Sequence, residues 1–326
     1  MSKKLKPLIF GVSGTELTDD EKELFLQNPV YGFIIFKRNI ESPQQLTKLV
    51  QDLRALYEYK ILIFIDQEGG RVARLKPPMV NEEYSPASFF GEIYQKEGKE
   101  KACAAVYDNY SKLMQGLNKY DIDSPCAPVA DLSYTETHKV IGDRSFGASV
   151  FQVVDLCVSA IDAIEKNGGI AIIKHITGHG RAICDSHLEL PIITASLEEL
   201  NKTDFEVFRQ LSKLEDVWAM TAHIIFTSID PDKPLTLSKK AIEFIRQEIG
   251  FKNILVSDDI CMLALHGEIG AKYLLHKNEI KQFPELKAEF TASMARVANE
   301  TLQAGCDLVL HCNGDIEEMT AICQMV

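Results

Sequence analysis

Clusters of side chains that could bind a ligand or move protons punctuate this 326-residue chain. They are Asp66-Gln67-Glu68-Gly69-Gly70-Arg71 with Arg74 beyond it, and Ala130-Asp131 with Gly142-Asp143-Arg144-Ser145. Lys174-His175-Ile176-Thr177-Gly178-His179-Gly180 leads on to Asp185-Ser186-His187, and Thr221-Ala222-His223, Ser257-Asp258-Asp259, His311 and Asn313 complete the set. Three chemistries are open to them. His175, His179, His187, His223 and Asp258 could hold zinc in a metal-dependent amidohydrolase, although the early H-x-H pair of such enzymes is missing. Lys174 could form a Schiff base. Carboxylates and imidazoles could also share general acid–base work. Each residue has a structural reading as well: Ser257 and Asp259 could cap a helix starting near Ile260, and the glycines beside His179 could serve turns. Neither a GxGxxG signature nor a phosphate-cradling P-loop is present, so a nucleotide is not expected.

The clusters follow short apolar runs, and those runs must position them. Runs occur at Leu8–Val12, Gly32–Phe36, Ile61–Ile65, Asp121–Val129, Ile170–Ile173, Val217–Met220, Ile254–Val256 and Cys306–Leu310, the fourth being the most polar. Strands that are apolar throughout belong to a sheet covered on both faces. Amphipathic stretches lie between them. One starts at Ser42-Pro43, a cap followed by a first-position proline; another runs from Ser238 to Arg246 and stops at Gly250. The gap from Gly70 to Tyr120 is expected to hold a loop and an extra helix. Eight strand–helix alternations predict an α/β fold, a single (β/α)8 TIM-like barrel domain over residues 1–326, rather than an open sheet. In such a barrel the residues after each strand form one rim, which is where the ionisable clusters would meet.

Thirty-five basic against 47 acidic residues give a net charge of −12 without a basic run, which argues against nucleic acid or an anionic membrane as partner. The eight cysteines form no C-x-x-C pair and read as buried free thiols in a reducing compartment. The apolar run after Lys3-Lys4 is too short for a signal peptide, and no stretch nears the ~20 apolar residues of a membrane helix. A cytoplasmic protein with no obligatory protein partner is expected.

Longer motifs narrow the chemistry. Ile65-Asp66-Gln67-Glu68-Gly69-Gly70-Arg71-Val72 resembles a signature of glycoside hydrolase family three. So do Lys174-His175-x-x-Gly178-His179-Gly180-x-x-x-x-Asp185-Ser186-His187 and Val256-Ser257-Asp258-Asp259-Ile260-x-Met262, with Gly142–Gly147 and Met220–His223 matching in order. Within the family the chain looks most like the single-domain bacterial β-N-acetylglucosaminidases of cell-wall recycling. Two departures stand out: Thr177 where the family usually has proline, and Arg181-Ala182 where Asp-Thr is commoner.

The resemblance implies a retaining hydrolase of β-linked N-acetylglucosamine, acting on a small amino-sugar glycoside such as GlcNAc-1,6-anhydro-MurNAc, without metal or cofactor. It implies Asp258 as nucleophile and His187 as acid/base, oriented by Asp185, and a sugar pocket of Asp66, Arg74, Arg144, Lys174 and His175. A carboxylate beside His187 would raise its pKa and suit it to protonate a leaving oxygen near neutral pH. Asp259 is expected to point away from the site. Lys174 and His175 are neighbours, so both reach one site only if the strand bends there. Gly178 and Gly180 are candidate hinges of the loop that carries Asp185 and His187.

Overall fold

A computed structural model describes residues 5–135, 137–139, 141–183 and 189–326. Seven strands form one parallel sheet: β1 (Lys6–Gly11), β2 (Val30–Ile35), β3 (Leu62–Ile65), β4 (Ile172–Ile176), β5 (Trp218–Thr221), β6 (Leu255–Asp259) and β7 (Leu308–His311). Their spatial order is β3-β2-β1-β7-β6-β5-β4, with neighbours in parallel register, as in Leu8 opposite Val309 and Gly32 opposite Leu62.

Both faces of the sheet are covered, which is why the runs are apolar without alternation. Ile9, Ile34, Phe64, Ile172, Met220 and Val256 point to one side and pack on each other. Leu8, Phe10, Phe33, Ile63, Ile173 and Leu255 point to the other and join the helices' apolar faces. The helix Pro43–Arg54 begins as expected, with Ser42 Oγ accepting from Gln45 N–H at 3.2 Å. Ser238 likewise caps Lys239–Phe244, and the chain leaves the following wide turn at Gly250, φ 81°. The gap after Gly70 holds two helices, Ala87–Glu97 and Lys99–Asn118. No helix among the described residues is long and apolar enough to cross a membrane. The seven described cysteines are free.

The fourth expected strand, Asp121–Val129, is not one. Pro125 and Pro128 have no N–H to donate, and Asp121 (φ 55°) and Cys126 (φ 49°) turn out of the extended conformation. The segment nevertheless lies between the two edge strands and bonds to both. On one side Ile65 N–H donates to Ser124 C=O (3.0 Å) and Asp123 N–H to Ile63 C=O (2.8 Å). On the other, Ile172 N–H donates to Ala127 C=O (2.9 Å) and Lys174 N–H to Pro128 C=O (3.2 Å). The expected eight-stranded barrel is therefore observed as a seven-stranded parallel sheet with this irregular segment spanning its edges.

Candidate active site

At the C-terminal ends of the strands the inner apolar layer gives way to a cleft of about 250 Å³. Ile34, Met220 and Leu310 form apolar lining, and Asp66, Arg74, Arg144, Lys174, His175 and Asp258 contribute polar groups to it. Six of the eight expected site residues thus share one cavity. Asp185 and His187 lie outside the described residues.

The chain after β3 shows how a short sequence builds one wall. Gln67–Gly69 and Val72–Ala73 form an antiparallel ribbon, turned at Gly70 with φ 56°. Gln67, fully buried, ties the ribbon to the chain just beyond it: its Oε1 accepts from Arg74 N–H (2.8 Å) and Leu75 N–H (3.0 Å), and its Nε2 donates to Leu75 C=O (2.8 Å). Arg74 is thereby returned to Asp66, donating from Nη2 to Oδ2 at 2.9 Å.

From there opposite charges alternate across the cleft wall. Lys174 Nζ lies 3.3 Å from Asp66 Oδ1 and 2.6 Å from Glu68 Oε1, and Glu68 accepts both Nε (2.7 Å) and Nη2 (2.8 Å) of Arg144. Burial opposes the charge of Glu68, but Arg144 and Lys174 outweigh it and hold its carboxyl well below the usual carboxylate range. Burial likewise works against the Lys174 ammonium, and Glu68 and Asp66 reverse the effect, raising its pKa. A Schiff-base lysine needs the opposite shift, so the aldolase-like reading fails on this geometry.

Lys174 and His175 both line the cleft because the strand bends between them: the β4–β5 pairing shifts register between Lys174 and Ile176. Asp131, fully buried, holds the bend. Its Oδ1 accepts His175 N–H (3.1 Å) and His179 N–H (2.6 Å), while Oδ2 meets His175 Nδ1 at 2.7 Å. His179 also lines the cleft; burial, then His175, pulls its pKa down to about 4. A Cβ at Gly180 would fall 1.9 Å from Leu132 O, so glycine there lets two backbones touch. Arg181, one of the two departures, donates from Nε to Asp204 at 2.7 Å and lies over the Tyr134 ring.

Asp258 occupies the end of β6, where the pairing with β7 shifts register between Val256 and Asp259. Such a bulge re-aims a side chain at a strand end. Its Oδ1 accepts Asp259 N–H at 2.8 Å. Burial would raise its pKa, yet His175 foremost, then His223, the Asp259 N–H and Lys174, hold it down to about 2. Asp258 is a carboxylate at neutral pH. Asp259 also lines the cleft, contrary to expectation, and its Oδ1 accepts Cys261 N–H (2.9 Å) and Cys312 N–H (3.1 Å). The expected helix at Ile260 is absent, helical turns starting only at Leu263, and Ser257 Oγ accepts Leu310 N–H (3.0 Å) instead of capping.

The zinc reading was open to the same test. Among the described residues the metal-capable side chains that do converge are Cys261, His311 and Glu318, with ligand atoms within 4.8 Å of each other. Glu318 already accepts from Lys287 Nζ (2.8 Å), Asn313 Nδ2 (2.7 Å) and His311 Nε2 (3.1 Å). Its oxygens are already committed to these three side chains. His175, His179, His223 and Asp258 form no such group.

Residues 2–326 match the model of the glycosyl hydrolase family 3 N-terminal domain. The chain belongs to glycosyl hydrolase family 3. This glycoside hydrolase is 32% identical over 310 residues to the β-hexosaminidase of Methylobacillus flagellatus, covering 95% of this chain and 81% of the relative. Among solved structures, native NagZ from Neisseria gonorrhoeae superposes with a TM-score of 0.82 at 29% identity, covering 95% of this chain and 82% of that one. The same gonococcal protein in complex with N-trifluoroacetyl-D-glucosamine gives 0.81 at 29% identity and the same coverage.

Glu68, Asp131 and Gln67 are members of the site that sequence reasoning named but did not assign. Charge arithmetic held a signal for Glu68: Arg74, Arg144 and Lys174 in one pocket exceed what Asp66 and Asp258 can neutralise. Nothing in residue types marked Asp131 or Gln67, whose partners are mostly backbone amides.

Proposed function

We propose that this family 3 hydrolase is a retaining exo-β-N-acetylhexosaminidase that releases terminal β-linked GlcNAc through a covalent intermediate on Asp258. The observation that carries the reading is an ionised, partly buried carboxylate lining a cleft walled by Asp66, Arg74, Lys174 and Arg144. Carboxylates accept from pairs of sugar hydroxyls, and Arg and Lys donate to their oxygens. The β-hexosaminidase relatives and the glucosamine-derived ligand of the gonococcal structure support an amino sugar. A cleft of about 250 Å³ suits one ring better than an internal stretch of polymer, hence the exo assignment.

In this mechanism one Asp258 oxygen stays with the Asp259 N–H and the other attacks the anomeric carbon. The glycosidic bond breaks, and its oxygen takes a proton from His187, oriented by Asp185. The neutral imidazole then removes a proton from water, the water oxygen bonds to the anomeric carbon, and Asp258 is released with net retention. His187 and Asp185 enter on their motif alone. Muropeptide fragments of peptidoglycan recycling, and a cytoplasmic site of action, complete the proposal from the same resemblance. We also read residues 122–130 as the piece that closes the sheet into a (β/α)8 barrel, since it bonds to both edge strands.

The test pairs an aryl β-N-acetylglucosaminide with the matching β-glucoside. Turnover of the first only, with β-GlcNAc as first product by NMR, is expected. Asp258→Asn lowers kcat by about 10³-fold or more with the fold intact. A fully active Asp258→Asn variant overturns the assignment.

A further inference from the structure

Past Val256 the β6 ladder with β5 stops, its last register pairs being Leu255 with Ala219 and Val256 with Met220. Asp258 N–H and Asp259 C=O therefore project toward a neighbour strand that no longer offers backbone. Side chains of that neighbouring chain segment replace it. Asp258 N–H donates to Thr221 Oγ1 at 3.3 Å, and Asp259 C=O, which also accepts Met262 N–H at 3.2 Å, lies 3.0 Å from His223 Nε2. Thr236 joins the two: its Oγ1 is 2.8 Å from Thr221 Oγ1 and 2.7 Å from His223 Nδ1. All three of these side chains are fully buried, and none lines the cleft.

Burial lowers the His223 pKa and favours the neutral imidazole, and donor and acceptor rules then order the protons around it. A carbonyl only accepts, so His223 Nε2 carries hydrogen and donates to Asp259. A neutral imidazole then has a bare Nδ1, which accepts from the Thr236 hydroxyl. Thr236 Oγ1 is left to accept, and Thr221 donates to it. Thr221 Oγ1 in turn accepts the Asp258 amide. The hydroxyl of Thr236 has an alternative acceptor in Ala222 C=O at 3.2 Å, but Nδ1 is nearer by half an ångström. Every bond points the same way round, from the Asp258 amide through Thr221, Thr236 and His223 to the Asp259 carbonyl.

We propose that this ring of hydrogen bonds is a positioning device, with Thr236 and His223 fixing the Asp258–Asp259 backbone from behind the cleft. The inference rests on Asp258 being the nucleophile. The ring grips the amide entering Asp258 and the carbonyl leaving Asp259. Between them lies the Asp259 N–H that holds Asp258 Oδ1. Loosening either end lets the reacting carboxylate rotate, and misplacement of about 1 Å can cost some 10²-fold in rate. Because the ring touches no sugar, its loss belongs in kcat and leaves KM nearly unchanged.

The test uses the full chain and an aryl β-N-acetylglucosaminide. Thr236→Val keeps the shape and removes the hydroxyl; kcat is expected to fall at least about tenfold with KM within about twofold. Thr236→Ser, which restores the hydroxyl, should recover most of that loss. Imidazole ¹⁵N shifts of the native protein, with the His223 signals identified from a His223→Gln variant, should show Nε2–H and a bare Nδ1 at neutral pH. An unchanged kcat in Thr236→Val, a Thr236→Ser variant no better than it, or an Nδ1–H tautomer each overturns the ring. The tautomer is read on native protein and stands even if the valine variant fails to fold. Activity surviving in Asp258→Asn takes down the nucleophile, whereas its loss there beside full turnover in Thr236→Val takes down the ring alone.

Discussion

At the residue scale the site is an exercise in charge placement. Five side chains, Arg74, Asp66, Lys174, Glu68 and Arg144, alternate in sign along one wall, and the two innermost, Lys174 and Glu68, are almost fully buried. Charges that deep persist only when paired and hydrogen-bonded. Glu68 is the hinge of the arrangement, since it alone meets both Lys174 and Arg144, with Arg144 held through two parallel donors. Glu68→Gln keeps the volume and removes the charge, taking from Lys174 and Arg144 the carboxylate they share. Breaking a buried pair from one side typically costs about 3–5 kcal/mol. The expected outcome is a lower denaturation midpoint at unchanged m-value, together with a raised KM as Lys174 and Arg144 lose their fixed positions. A variant as stable as the native chain would show that Lys174 is held by Asp66 alone.

At the element scale, function depends on where regular structure breaks. Gln67 makes a ribbon out of the chain leaving β3 by taking two backbone donors and giving to one acceptor. Gln67→Ala deletes three such bonds at roughly 1 kcal/mol each and leaves buried amides without partners. Arg74 would then be free to leave Asp66, so KM should rise several-fold while kcat changes less; identical KM in a steady-state assay would deny the ribbon its role. The regular parts of this architecture were readable in advance, because seven apolar runs needed cover on both faces and strand ends had to carry the polar clusters. Six of the eight named residues come together in the cleft for that reason. The breaks were less readable. The polarity and two prolines of Asp121–Val129 stood against a strand, but its two positive-φ residues are decided by how the segment threads between two edges. The same holds for Ser257 and Asp259, whose short polar side chains fit a helix cap equally well. Only the register shift beside β7 shows them bonding to backbone across the bulge.

At the scale of the whole molecule, the polar groups beneath and around the cleft set how the fold answers acid. His179, His223 and His266 are buried, and burial is the first cause of a lowered pKa in each, to about 4 for His179. In the unfolded chain the same imidazoles take up protons near their ordinary pKa of about 6.5. Between about pH 6.5 and 4 the unfolded state therefore binds more protons than the folded one, and stability falls as pH falls. A histidine that stays neutral in the fold over this interval contributes at most roughly 1.4 kcal/mol per pH unit. Below about pH 4 the sign stays the same for a different reason: Asp258 and Glu318, both held down to about 2, remain ionised in the fold while their unfolded counterparts protonate. Calorimetric melts should show Tm falling continuously from pH 7 to pH 5, with replacement of His266 by Gln flattening the upper part of that fall. A Tm independent of pH over this interval would mean that the folded protein already carries those protons, and with them a charged His223 that could not accept from Thr236.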